Sequence, residues 1–346
     1  MDEAISGPLA AARGVHLASC VLLLAVWIFD KWIIAGSADP RIGQSSRRIG
    51  RWLLAIALSA ALFSGIAWFY YVAAGMKDPD EPITRTLLKL VWTDTQFGHV
   101  WQLRVVLLIA AAVVSLFLFS RRACSPRPSG SPATEDRGEQ ARRLNEKPGV
   151  FRTFAHFSLG VLAVALLASI AWAGHGATGP VPHWHRAADV LHLLVCAAWP
   201  GGLIPLGLLL WHFARVHEQI SLTDAAAIIR RFSATALASV ILLTLTGTLN
   251  AWCLVGSFPG LWNTRYGQTL LLKLAVFLVI IALGATNLLI GKPRLLRLAI
   301  DPPTDSAALS LPIIRRMASI VIIEAILALG IFAIVGILGL LMPARM

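Results

Sequence analysis

A histidine and a cysteine four residues apart occur twice, as His16-Leu-x-x-Cys20 and His192-Leu-x-x-Cys196, each near the start of a long apolar run. Four residues is one turn, so each imidazole shares a helix face with its sulfur. In hydrocarbon such groups are costly unless something binds or satisfies them. Imidazole with thiolate suits copper, the cuprous ion above all, whereas calcium or magnesium would call for oxygen donors. Asp189, three residues before His192, is placed to accept the second ring N–H and so to fix the tautomer that offers a lone pair to a metal. The same position in the first copy is Arg13, which invites an Arg13–Asp189 pair across the repeat. His175, His183 and His185 cluster near the second copy, and with His16, Cys20 and Cys196 they complete the candidate ligand set around His192. Buried cysteine is also an ordinary small hydrophobe, so the thiols carry less of the argument than the imidazoles.

The elements that position these groups are membrane helices. The chain has 346 residues, 57% of them hydrophobic and 14% charged, with a mean hydropathy of +0.72. Ordinary soluble domains carry roughly 25% charged residues. Apolar runs near residues 12–35, 52–75, 99–120, 154–174, 187–213, 232–256, 267–290 and 317–342 each suffice to cross the hydrocarbon core, which takes about 20 helical residues. They lack the alternation of barrel strands, so the expectation is an all-α polytopic protein with eight transmembrane helices.

Of the 30 Lys and Arg residues, 21 fall in the loops after the first, third, fifth and seventh runs. By the positive-inside rule those loops are cytoplasmic and both termini lie outside. The net charge of +12 is thereby explained without nucleic acid. Met1-Asp2-Glu3 is acidic where a signal peptide would be basic, so the first helix is expected to be retained. Nothing resembles a Gly-rich, Lys-Ser/Thr nucleotide loop, so no ATP-driven step is expected.

Internal echoes suggest two parallel four-helix repeats. Thr95-Gln-Phe-Gly98 with Arg104 recurs 169 residues later as Thr264-Arg-Tyr-Gly267 with Lys273. Arg47-Arg48 before the second run matches Arg230-Arg231 before the sixth, and Ser64-Gly65 with Trp68 recurs as Thr246-Gly247 with Trp252. Four helices separate the copies, an even number, which relates them by an axis along the membrane normal. Residues 1–123 hold helices one to three of the first half. Residues 124–149, rich in Pro, Ser, Gly and charge, read as a disordered cytoplasmic linker, and 150–346 hold helices four to eight.

In the last run stands Glu324, an intramembrane carboxylate suited to transport or charge coupling, with Asn250 or Asn287 as a polar neighbour. The tryptophans are assigned to interfacial belts and packing.

Asp189-x-x-His192-x6-Trp199-x-Gly201-Gly202, Arg231-Phe232-Ser233, Thr246-Gly247 with Asn250, Thr264-x-Tyr266-Gly267 with Lys273, Asn287 and Glu324 together resemble the copper resistance protein D (CopD) family, most strongly over residues 155–342. The resemblance implies a non-enzymatic protein of copper homeostasis in a bacterial inner membrane, with both termini periplasmic. It also implies a periplasmic copper-binding partner of the CopC type and movement of copper toward the cytoplasm. His192, Asp189 and Glu324 are the residues it carries over; Cys20 and Cys196 are not demanded by it. A second reading is haem b held by two helix-borne imidazoles, His16 with His192 or His175. The His-x6-Trp-x-x-Gly pattern is similar to that of the four-helix protoporphyrinogen oxidases, which would make the chain a haem-dependent oxidoreductase.

Overall fold

Eight helices long and apolar enough to cross a membrane form an all-α bundle in the computed structural model, which describes residues 6–78, 80–120, 150–173, 183–216, 221–301, 306–343 and 345. They are α1 (Gly7–Ile33), α2 (Pro40–Ala74), α4 (Gln96–Ser120), α5 (Val150–Trp172), α6 (His183–Arg215), α7 (Leu222–Leu254), α9 (Arg265–Ile300) and α10 (Ser306–Leu338). Two short helices, α3 (Arg85–Asp94) and α8 (Phe258–Asn263), stand before α4 and α9. The expected linker, 124–149, lies outside the described residues.

Two helices reach further than hydropathy alone indicates, because their first turns are polar but capped. Asp39 accepts from Arg41 N at the start of α2, with Pro40 in the first turn, and the Ser221 hydroxyl accepts from Asp224 N at the start of α7. The pairs Arg47-Arg48 and Arg230-Arg231 therefore lie inside helices rather than in the loops before them.

The Thr-x-aromatic-Gly motif is structural in both places. Thr95 Oγ1 accepts from Gly98 N (2.9 Å) and donates to Val91 O (2.6 Å); Thr264 Oγ1 accepts from Gly267 N (3.0 Å) and donates to Gly260 O (2.6 Å). Each threonine caps a membrane helix while tying it to the short helix before it. A Cβ on either glycine would strike the backbone carbonyls of that short helix, so only glycine fits.

The two helices with the His-x-x-x-Cys pairs are the innermost. The most apolar windows of α1 and α6 are 67 and 72% buried, against 22% for α4 and 6% for α9. Helix α1 packs on α2, α5, α10 and the first part of α6. Pro200-Gly201-Gly202 interrupts α6, since proline removes a donor and Gly201 lies against α1, where a Cβ would come within 2.8 Å of Ala25 Cβ. A π-helical turn ends α1 at Phe29–Ile33, and another interrupts α9 at Asn287–Gly291.

At the end of the bundle that carries the basic loops, polar bonds clasp α1 and α2 to α7. Asp39 Oδ2 accepts from Arg41 Nη2 (3.0 Å) and from Ser221 N (3.0 Å), while Asp39 N donates to Asp224 Oδ2 (2.8 Å). Arg231 reaches back to the carbonyls of Ile33 (3.0 Å) and Ala35. The Arg41 guanidinium, helped by the Ser221 amide, holds the Asp39 carboxyl down from its ordinary 3.8 to about 2. A depressed carboxylate stabilises the fold fully above its unfolded pKa and loses that contribution as pH falls through the folded one. Asp39→Asn is expected to cost about 1–2 kcal/mol at pH 7. The difference from the parent chain should shrink between about pH 4 and pH 2, as thermal melts of the two detergent-purified proteins would show.

Candidate functional site

His192 projects from α6 into a cavity of about 240 Å³, at the end of the bundle away from the basic loops. His185, Asp189, His192 and Cys196 follow one another along α6 at spacings of four, three and four, and all line it. Asn250 from α7, Tyr266 and Lys273 from α9 and Arg13 from α1 line the same space.

The tautomer of His192 follows from its neighbour. Thr246 Oγ1 donates its single proton to Leu242 O (2.7 Å), so toward His192 Nδ1, 2.9 Å away, it accepts. The ring proton is thus on Nδ1 and the lone pair on Nε2. Nothing among the described residues hydrogen-bonds to that Nε2. The expectation that Asp189 would orient this imidazole is corrected: Thr246 does so, and Asp189 Oδ1 instead accepts from Asn250 Nδ2 (3.3 Å). Asn250 Oδ1 is buried with no partner among the described residues, an acceptor left over for an occupant of the cavity.

Arg13 and Asp189 share the cavity but form no ion pair among the described residues, contrary to the expectation. The Arg13 guanidinium lies over the Trp68 ring, 5.0 Å from its centroid. That places Trp68, 3% exposed, and Trp101, 4% exposed, in an internal aromatic cluster.

His16 and Cys20 occupy a separate pocket, where Arg104 takes up both of their donor atoms. Ser64 Oγ donates to Ala60 O, so His16 Nδ1 donates to Ala61 O (3.0 Å) or Ser64 Oγ (3.2 Å) and its Nε2 again carries the lone pair. Arg104, 2% exposed, answers it: its Nη2 donates to His16 Nε2 (2.6 Å) and Cys20 Sγ (3.4 Å), and Nη1 to Leu166 O (2.8 Å) and Ser169 Oγ (2.5 Å). Trp68 and Trp101 pack on the His16 ring with centroids 5.6 and 5.2 Å away.

The structure thus brings His185, His192 and Cys196 together with Asp189 and leaves His16 and Cys20 apart from them. His183 is exposed at the first turn of α6 and does not line the cavity, and His175 lies outside the described residues. Among the described residues no three His, Cys, Asp or Glu side chains stand close enough to hold an ion together. For haem b, His16 and His192 do not flank a common cavity, since the first lines a space with α2 and α4 and the second one with α7 and α9.

A second, separate cavity of about 160 Å³ lies further toward the basic end along the same helix: Cys196 lines the first and Trp199 the second. Glu324, 2% exposed, faces this second cavity with Ser233, Asn287 and Met317, and its Oε1 has no hydrogen-bond partner among the described residues. Asn287, not Asn250, is its polar neighbour. Arg104, Lys273, Ser64 and Thr246 all belonged to repeated motifs in the sequence, but their roles depend on which helix each one faces.

Comparison with known proteins agrees with the resemblance read from the motifs. Residues 226–338 match the family model "Copper resistance protein D", and residues 1–129 match "Copper resistance protein D-like, N-terminal domain". The chain is 28% identical to the copper resistance protein D of Pseudomonas syringae pv. tomato, covering 75% of this chain and 73% of that one. It is 25% identical to the copper transport protein CutJ of Bacillus subtilis (strain 168) over 85% of this chain and 48% of the relative, so it spans about half of that protein's length. Against the inner membrane protein YebZ of Escherichia coli (strain K12) the identity is 24%, over 82 and 84% of the two chains.

Replacing Arg104 by Met leaves His16 Nε2 and the thiol without their donor. A loss of about 1–3 kcal/mol is expected. Lys273→Met breaks no such bond and should change the melting temperature in detergent far less.

Proposed function

The chain belongs to the copper resistance protein D family, and from that premise we propose that it takes up a cuprous ion at the His192 cavity and moves it across the inner membrane toward the cytoplasm. The observation that carries this is the bare Nε2 lone pair of His192, oriented by Thr246 and open to a cavity that also holds Cys196, His185 and Asp189. Soft, low-coordinate sites suit the cuprous ion, so an imidazole and a thiol on one helix face suffice to receive it. Asp189 supplies negative charge beside them.

Cys196 and Trp199, three residues apart on α6, line successive cavities, which supports passage along the second half of the chain. There the unpartnered Glu324 carboxylate compensates the charge of the passing ion, with Asn287 and the Met317 thioether at hand. The donor is a separate periplasmic copper-binding protein of the CopC type, which hands over the ion by exchange between soft ligands. Both termini are periplasmic in this reading, so the His192 cavity opens to the donor's side.

Two parallel four-helix repeats are the reading of the architecture that accounts for the paired features. Thr95 and Thr264 cap α4 and α9 alike, Ser64 and Thr246 hold His16 and His192 alike, and Gly65 and Gly247 each give room to the imidazole opposite, where a Cβ would lie 3.3 and 3.5 Å from its Cε1.

The test is copper accumulation in cells that express the parent chain or His192→Ala at equal membrane abundance. Accumulation attributable to the chain should fall by about 10–100-fold with the substitution. Equal accumulation and equal tolerance would remove the transport reading.

A further inference from the structure

The register of the two copies pairs their residues one by one. His16 and Cys20 correspond to His192 and Cys196, Ser64 and Gly65 to Thr246 and Gly247, and Arg104 to Lys273. The spacing that relates Ser64 to Thr246 also sets Asn250 at the place of Trp68. The earlier match of Trp68 to Trp252 is therefore corrected, and Trp252 is 61% exposed where Trp68 is buried. Asp189 stands at the place of Arg13. The two pockets share one imidazole geometry and differ in what fills the space around it.

We propose that the first-half pocket is a cation site permanently filled by the chain's own Arg104, and that Lys273, in the corresponding position, keeps the second-half pocket open to cargo because it cannot fill it. This rests on the copper reading above.

Each pocket offers the same two soft donors, an Nε2 lone pair and a thiol one turn further on. In the first, the guanidinium takes both through Nη2, at 2.6 and 3.4 Å, and Nη1 is fixed on Leu166 O and Ser169 Oγ, while Nε is without a partner among the described residues. The Trp68 and Trp101 rings pack on the imidazole, with the Arg104 guanidinium 5.2 Å from the centroid of Trp101, and a cavity of about 140 Å³ beside them is lined mainly by apolar side chains such as Leu62, Ile66 and Phe69. A planar fork of donors is suited to bridging two acceptors at once, and it does not leave.

In the second pocket the ammonium of Lys273 is a single point of charge on a flexible stem. Among the described residues it makes no hydrogen bond to His192 or Cys196, and with Asn250 in place of a tryptophan a cavity of about 240 Å³ remains. There the Asp189 carboxylate stands in the cavity wall together with Arg13, Arg186 and Lys273. The imidazole and thiol donors are thus taken by a fixed cation in the first pocket and left free in the second.

The experiment measures cuprous-ion affinity of the full chain in detergent, under anaerobic conditions, by competition with a chromophoric cuprous chelator. Parent, Lys273→Arg and Lys273→Leu proteins are compared, with thermal melts alongside. Lys273→Arg keeps the charge and supplies the fork, so its affinity should fall by about 10–100-fold, the usual effect of altering a metal site's surroundings. Lys273→Leu empties the space and should bind at least as tightly as the parent. An unchanged affinity in Lys273→Arg, or a loss in Lys273→Leu, would overturn the proposal while leaving the copper reading in place. Absence of binding by the parent chain would remove both.

Discussion

A hydroxyl that has given its only proton to a helix carbonyl can do nothing toward a neighbouring imidazole but accept. That constraint sets the chemistry of both histidine pockets. Ser64 and Thr246 each spend their proton on a carbonyl one turn back in their own helix, and each therefore pins the ring proton of the facing histidine on Nδ1. The opposite nitrogen is left as a lone pair in a region where water is scarce. Within a membrane such a lone pair must find a donor or receive a ligand. Two identical solutions to the first half of this problem are completed differently, by Arg104 in one pocket and by open space in the other.

The packing that permits this begins with α1 and α6. As the most enclosed helices of the bundle they present their polar faces to protein rather than lipid. Small residues make the enclosure possible: Gly201 lets α6 approach Ala25 and Val21 of α1, and Gly14 lies against the backbone of α10 at Phe332. Without side chains at these crossings the helix axes come close, and the larger polar groups one turn away are walled in. The caps at Thr95 and Thr264 act on the same problem from the other side, since they fix where Arg104 and Lys273 stand along α4 and α9.

Much of this was legible in the sequence. The number and order of the spans followed from hydropathy, and the positions of the repeated motifs followed from simple spacing. Hydrogen-bond partners did not, because they depend on which helix lies alongside. Asp189 is one turn from His192 in sequence, but the group that faces Nδ1 comes from α7, 54 residues on. Arg104 looked like one member of a basic repeat, and only the meeting of α1, α4 and α5 shows it buried among acceptors. The slip of two residues between Trp68 and Trp252 hid the correspondence of Asn250 with Trp68, since a conspicuous residue type outweighed the register. Glu324 was found by its type alone, because a carboxylate in so apolar a run stands out whatever surrounds it.

Arg104 has one more consequence, an electrical one. Its acceptors are an imidazole, a thiol, a hydroxyl and a carbonyl, so its charge is solvated but not cancelled. A guanidinium does not give up its proton in such surroundings. At roughly 8 Å and an effective dielectric of about 20, it repels a second monovalent cation by about 2 kcal/mol. The His16 pocket is thereby barred to positive ions by a charge built into its wall, whereas around His192 the cations Arg13, Arg186 and Lys273 share the lining with the Asp189 carboxylate.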